Sequence, residues 1–78
     1  MTLIELALAF VLSHPAVTAP IIGPRTMDQL ESQLGVADVE LSDEVLDRID
    51  AIVPPGAYLN PADQGWDNPA LAPPARRR

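Results

Sequence analysis

The chain has 78 residues, close to the lower limit at which one hydrophobic core holds a domain together without disulfide bonds or metal. It contains no cysteine, which excludes a disulfide framework, thiolate ligands and a thiol nucleophile and favours a cytoplasmic location. Eleven acidic residues against five arginines give a net charge of -6, and residues 1–75, with only two of those arginines, carry -9. This charge argues against a protein that binds the phosphates of nucleic acids.

The first predicted element is a helix over residues 3–13. The stretch from Leu3 to Leu12 is apolar except for Glu5, and it is too short to span a membrane, which takes ~20 apolar residues. A signal peptide would need a basic start, which is missing. The composition indicates a helix that is buried nearly all round, and Pro15 ends it because His14 is kept out of the helical conformation.

The next predicted element is a strand from Val17 to Ile22, buried on both faces, because β-branched residues are bounded by proline before and Gly23-Pro24 after. Pro20 cannot donate a hydrogen bond to a sheet. The sequence predicts no second strand, and a single strand cannot pair its backbone groups. The chain therefore either self-associates or is the last portion of a parallel α/β barrel whose other strands lie elsewhere.

A second helix is predicted from a capping box. In Thr26-Met27-Asp28-Gln29 the threonine hydroxyl would accept from the third helical amide, and the glutamine would reach back to the amide of the cap itself. The helix should therefore begin at about Met27, and Gly35 offers a C-terminal stop.

A third helix and a tail complete the chain. Ser42 is a predicted N-cap, and apolar residues then recur at helical spacing as far as Val53. Residues 54–78 hold six of the nine prolines and no sustained periodicity, which predicts a tail and not a domain. The three arginines Arg76 to Arg78 predict a solvated terminus.

The chemical feature of the sequence is the turn Gly23-Pro24-Arg25 between the strand and the capped helix. Free amides at the helix start, the positive end of its dipole and the Arg25 side chain can all point at one dianion. Gln29 and Gln33 lie one turn apart on the same face. The alternatives are a purely capping role for Gln29, an exposed helix position for Gln33 and a solvated Arg25.

Successive motifs between Leu6 and Val53 resemble the C-terminal section of bacterial aldo-keto reductases. They include Ala-Phe-Val-Leu-Ser-His-Pro, Val-Thr-Ala-Pro-Ile-Ile-Gly-Pro-Arg-Thr and Val-Glu-Leu-Ser-Asp-Glu. The resemblance implies an α/β fold: the C-terminal fragment of a (β/α)8 TIM barrel with a helix, the last barrel strand, two helices and a Pro-rich tail. Residues 1–53 would be part of the NADP-dependent oxidoreductase domain, and residues 54–78 the tail.

The resemblance also implies a cofactor site for NADP made of six residues. Those expected around the adenosine 2′-phosphate and the adenine are Gly23, Pro24, Arg25, Thr26, Gln29 and Gln33. Gln29 stands where many members have an arginine against the 2′-phosphate, and Gln33 where an asparagine usually contacts the adenine. Both replacements are departures from the family pattern at positions that contact the adenosine end of the cofactor, and we expect the isolated chain to bind NADP weakly or not at all.

Catalytic residues are the larger departure from the family. Its hydride transfer uses a tyrosine, a lysine, an aspartate and a histidine from earlier strands, whereas this sequence has no lysine, and Tyr58 and His14 fall in the wrong places. We therefore expect no catalytic residue and no reductase activity from this chain alone, although full-length members reduce aldehydes or ketones with NADPH.

Several partners and roles remain open on the sequence. The expected partner is a missing N-terminal barrel portion or a second copy of the chain, with neither nucleic acid nor membrane. Two alternatives stand beside a truncated reductase. One is a small acidic helical interaction module that pairs its strand and apolar helix faces with another protein, and the other is a non-functional gene remnant.

Overall fold

The computed structural model describes residues 1–75, so the predicted solvated terminus Arg76 to Arg78 lies outside the described residues. The chain divides into two compact units, the first ending at Ser42 and the second beginning at Asp43. The α-helices of the described part are α1 (Leu3–Ser13) and α2 (Met27–Leu34) in the first unit and α3 (Asp43–Ile52) in the second. Short 3₁₀ turns cover Gly35–Asp38, Pro61–Asp63, Pro69–Leu71 and Pro73–Ala75.

Helix α1 confirms the prediction of a helix over residues 3–13. It begins at the cap Thr2, whose Oγ1 accepts from the Glu5 amide at 3.1 Å. It ends because His14, which precedes a proline, is extended at φ -79 and ψ 128. The side chain of Ala9 is only 2% exposed, whereas Leu3 is 80% exposed.

The prediction that α1 is buried nearly all round is therefore wrong within the described chain. Among the helical elements of the first unit, α2 and the 3₁₀ turn Gly35–Asp38 make the main contacts with α1. These two short elements cannot cover an apolar surface that extends around the whole helix. Among the described residues, no helix is both long and apolar enough to cross a membrane.

The predicted strand at residues 17–22 is also wrong for the described chain. The segment has no strand assignment, and the Val17 amide donates to the His14 carbonyl at 3.0 Å, which closes a turn after α1. Ile21 is fully exposed and not buried on both faces. A strand exists by pairing with another strand, and residues 1–75 contain no strand that could pair with this segment.

Helix α2 begins at Met27, as its capping box predicts, and ends at Leu34. Gly35 follows at the predicted place, but it lies in the right-handed region at φ -68 and ψ -12 and is not a left-handed cap. The chain continues into the 3₁₀ turn, where Val36 is buried. We attribute the right-handed Gly35 to this burial, because the continued turn packs Val36 inward.

The second unit starts with α3, which follows Ser42 as predicted and buries Leu46. Its tail carries two turns of the same design, in which the side chains of Asn60 and Asn68 each accept from the backbone amide two residues on, ahead of a proline-started 3₁₀ turn. Gly56 has φ 86, and a Cβ there would lie 3.3 Å from Leu71 Cδ1. The tail is therefore folded back locally.

Candidate functional site

Two side chains fix the start of α2. Thr26 Oγ1 accepts from the Gln29 amide at 3.2 Å, and Gln29 Oε1 accepts from the Arg25 amide at 2.8 Å. The first bond confirms the predicted cap, whereas the second differs from the prediction, because the glutamine bonds the amide one residue before the cap. The geometry thus ties Arg25 to the helix through Gln29.

Three backbone amides at this helix start remain without an acceptor. The N–H groups of Thr26, Met27 and Asp28 donate no hydrogen bond within the described residues. All three residues are exposed. Such amides lie at the positive end of the helix dipole and are donors of the kind that anions accept from at helix starts.

Arg25 is the only arginine or lysine in the first 47 residues. It is exposed, and its guanidinium has no hydrogen bond or ion pair among residues 1–75. Two carboxylates, Asp28 and Glu31, lie in the first two turns of α2. One full positive charge therefore stands next to the free amides, with two negative charges on the adjacent helix.

The turn before α2 leaves room on its outer side. Gly23 is exposed, and a Cβ added there would meet no heavy atom within 4 Å. Pro24 is half-buried and holds the chain between Gly23 and Arg25 with a fixed φ. The approach to the backbone at Gly23 is therefore open.

The two glutamines of α2 differ although they lie one turn apart. Gln29 is exposed and its oxygen is used in capping, whereas Gln33 is half-buried. The Gln33 Oε1 atom is itself buried, and no described residue donates to it. An unsatisfied buried acceptor costs about 1–3 kcal/mol.

The remaining polar candidates do not form a catalytic group. His14 Nδ1 accepts from the Ala16 amide at 3.1 Å, so this atom serves the turn after α1. Tyr58 lies in the second unit and is about half exposed, with no hydrogen-bond partner among the described residues. Within residues 1–75, no three acidic or histidine side chains are arranged to hold a metal ion.

Sequence reasoning missed two features of this region. The cap of α1 at Thr2 follows the same pattern as that of α2, since Thr2 and Glu5 stand three residues apart like Thr26 and Gln29. The choice of the Arg25 amide by Gln29 has no signal in the sequence, because neighbouring amides are equally good donors.

Comparisons with known proteins give a family for residues 1–54. The aldo/keto reductase family model matches residues 1–54. The uncharacterized oxidoreductase YrpG of Bacillus subtilis is 39% identical over 62 residues, which is 80% of this chain and 19% of that protein. Protein tas of Escherichia coli is 42% identical over 48 residues, 62% of this chain and 14% of that protein. The chain thus spans at most about a fifth of the length of these relatives, and no solved structure matches significantly.

Proposed function

Because the chain belongs to the aldo/keto reductase family, we propose that it is the C-terminal part of an NADP-dependent reductase barrel. In this proposal it carries the portion of the cofactor site that holds the adenosine 2′-phosphate and the adenine. The same proposal places the rest of the barrel outside the 78 residues. It gives the complete protein the reduction of aldehydes or ketones and a cytoplasmic location.

One observation carries it. Three unpaired amides at the start of α2 stand beside the unpaired guanidinium of Arg25, after a turn that is open at Gly23. Backbone amides and a guanidinium are the donors that phosphate oxygens accept from. The donor set therefore fits a phosphate dianion, and the adenine role of Gln33 rests on the family resemblance.

NADPH, when bound, supplies the hydride for carbonyl reduction. The residues of this chain would act at the other end of the cofactor. The amides of Thr26, Met27 and Asp28 would hold the 2′-phosphate, and the Arg25 guanidinium would donate to it through two N–H groups. These contacts would hold and orient the cofactor at its adenosine end. They would take no part in hydride transfer, because they are remote from the reacting carbon.

We propose that the 78-residue chain alone catalyses no carbonyl reduction. Its tyrosine and histidine lie in separate units, and neither has a positioned partner for proton transfer. Oxidation of NADPH, followed with a panel of aldehydes and ketones, should equal the buffer blank. Turnover that is lost in Tyr58→Phe or His14→Ala would contradict this.

The decisive experiment restores the barrel. Residues 1–78 are grafted onto the N-terminal part of a related reductase, and the affinities of the chimera for NADPH and NADH are measured. Arg25→Ala should lower the affinity for NADPH roughly tenfold or more and leave the affinity for NADH nearly unchanged, because only NADPH carries the dianionic 2′-phosphate.

Arg48→Ala is the matched control, because it removes the same charge from an exposed helix position in the second unit. It should leave the ratio of the two affinities unchanged. Equal losses for both cofactors in Arg25→Ala would mean that Arg25 is structural, and no loss for either would remove it from the site.

An interaction module is the second candidate, favoured by the apolar side chains that α1 and its following segment expose. They include Leu3, Ile4, Phe10, Val11 and Ile21. In a complete barrel these residues would be covered, whereas in an interaction module a different protein would cover them. A sharp monomer with a cooperative thermal transition would support the module over a piece of a barrel.

A further inference from the structure

One side of α1 carries only apolar residues and is exposed. Leu3 is 80% exposed, Ile4 47%, Phe10 45% and Val11 41%, and Ala7 in their middle is exposed as well. Leu3, Ala7, Phe10 and Val11 follow the spacing of one helix face, and Ile4 lies one heptad before Val11. We refer to these five residues as the exposed face of α1.

The charge of the chain lies away from this face. Leu8, Ala9 and Leu12 on the opposite side of α1 are buried or half-buried, and so is Glu5, the only charged side chain of the helix. No other aspartate, glutamate, lysine or arginine precedes Arg25 in the sequence. The exposed face of α1 therefore has no charge with which to attract a charged peptide or an anionic membrane surface, and it suits an occupant that is equally apolar.

The size of the face fits a second copy of the chain. At about 200 Å² for a fully exposed side chain of this size, its four large residues expose roughly 400 Å² in each copy. A soluble monomer seldom exposes a larger apolar patch, and a patch of this size is often functional. Two such faces placed together would remove roughly 800 Å² from water, which is the area of a weak and reversible dimer.

Ala7 and Phe10 decide how two such helices can pair. They lie in the middle of the face, three residues apart, and one is small where the other is large. In an antiparallel pair Phe10 of each copy would lie over Ala7 of the other copy, so that the two sizes interdigitate. In a parallel pair Phe10 would meet Phe10 and Ala7 would meet Ala7, which combines overpacking with a cavity. The sizes therefore favour the antiparallel pair.

We propose that two copies of the 78-residue chain pair through the exposed faces of α1, as antiparallel helices with Phe10 of each copy over Ala7 of the other. Ile4 of one copy then lies near Val11 of the other. This inference goes beyond the proposed function, because it concerns the chain by itself and involves no cofactor. It assigns an occupant to a face that a complete barrel would cover with its own elements.

Sedimentation equilibrium measures the dissociation constant of the dimer in wild type and in three variants. Ala7→Phe should raise it roughly tenfold or more, although the variant exposes more apolar surface, because two phenylalanines then compete for one space. Phe10→Ala should raise it by a similar factor through the cavity that it leaves. The swapped variant Ala7→Phe, Phe10→Ala should return to within roughly threefold of wild type, because the two changes compensate each other. Tighter association of Ala7→Phe would indicate unspecific adhesion and overturn the inference.

Ser32→Phe is the matched control, because it adds the same side chain at an exposed position of α2. It should leave the dissociation constant nearly unchanged. Circular dichroism should show the helix content of wild type in every variant, since Ala7, Phe10 and Ser32 are all exposed within the described chain. A wild-type chain that stays monomeric at millimolar concentration, or forms only larger aggregates, would mean that a different occupant covers the face and would overturn the pairing.

A mixture of wild type with the swapped variant tests the orientation. In an antiparallel mixed dimer the two phenylalanines would face each other and so would the two alanines, so mixed dimers should be rarer than their statistical share. In a parallel mixed dimer each phenylalanine would face an alanine, and mixed dimers would exceed that share. Native mass spectrometry with isotope-labelled wild type counts them. An excess of mixed dimers would overturn the antiparallel arrangement.

Discussion

The starts of α1 and α2 have the same type of cap and differ in the residues around it. In both, a threonine Oγ1 accepts from the amide three residues on, at 3.1 Å for Thr2 and 3.2 Å for Thr26. The third helical residue is charged in α1, Glu5, and neutral in α2, Gln29. A carboxylate at this place occupies the positive end of the helix with its own negative charge.

The contrast shows that a cap defines where a helix begins and not what its start can bind. The start of α2 has an arginine next to it and an open glycine turn before it, so its amides are available to an outside anion. The rest of α1 is apolar and largely exposed within the described chain, whereas α2 is mostly polar. We infer that α1 serves packing and α2 serves a ligand.

The largest expected effect concerns the packing surface of α1. Ile4 and Val11 lie two turns apart on one side of α1, and both are more than 40% exposed. We expect the wild-type chain to self-associate through such surfaces and the double variant Ile4→Glu, Val11→Glu to be predominantly monomeric. Size exclusion with light scattering measures this.

The control for that experiment adds the same charge without removing apolar area. Ser13→Glu with Ser32→Glu changes two exposed positions, each of which bonds a carbonyl three residues earlier in its helix. It should leave the self-association largely in place. A sharp, monodisperse wild-type monomer would refute the assignment of α1 to packing.

The next effect compares the two caps. Thr2→Ala and Thr26→Ala should each cost about 1 kcal/mol of helix stability, within a range of about 0.5–2 kcal/mol, because each removes the acceptor of one helix-start amide. Circular dichroism during thermal unfolding measures the loss. Only Thr26→Ala should also weaken binding of adenosine 2′,5′-bisphosphate.

If Thr2→Ala and Thr26→Ala weakened nucleotide binding equally, the proposal that only the start of α2 binds a nucleotide would be contradicted. Thr2→Ser and Thr26→Ser are the conservative counterparts, because serine keeps the accepting oxygen. They should retain most of the stability in each helix.

The helix starts were predictable because their signals are local. Thr26 needs only Gln29 and the backbone between them to begin a helix, and Pro15 acts on the residue directly before it. The cofactor role of Gly23 to Thr26 stays a prediction. The family resemblance added the cofactor that this site would hold.

The features that were mispredicted depend on distant partners. Residues 17–22 have the composition of a buried strand, but pairing needs a second strand that residues 1–75 do not provide. The exposure of α1 depends on how much chain is available to cover it. Periodicity and propensity contain none of this information.

A smaller effect is expected at the end of α2. Gly35 lies at φ -68 and ψ -12, and a Cβ there would meet nothing within 4 Å. Gly35→Ala should therefore stabilise the chain by about 0.4–1 kcal/mol, because alanine restricts the unfolded chain without strain in the folded one. Thermal unfolding measures the shift.

Gly56→Ala is the matched control. Gly56 has φ 86, where an L side chain is strained by roughly 1–2 kcal/mol, and its Cβ would approach Leu71. It should destabilise the chain. Destabilisation by Gly35→Ala as well would mean that Gly35 adopts a left-handed conformation in solution.

The smallest effect on stability is expected when α2 receives the residue type that α1 has at its third helical position. This change tests whether that residue distinguishes the two helix starts. In Gln29→Glu a carboxylate oxygen can still accept from the Arg25 amide, so the turn stays closed, and the negative charge favours the positive end of the helix by about 0.3–1 kcal/mol. Helix content should rise slightly.

Binding of adenosine 2′,5′-bisphosphate should fall, because the carboxylate repels the phosphate and competes for the Arg25 guanidinium. The reverse change in α1, Glu5→Gln, should lower helix stability by a similar amount and leave the binding of adenosine 2′,5′-bisphosphate unchanged. If stability and nucleotide binding changed in the same direction in Gln29→Glu, the neutral residue at position 29 would not be what distinguishes the start of α2 from the start of α1.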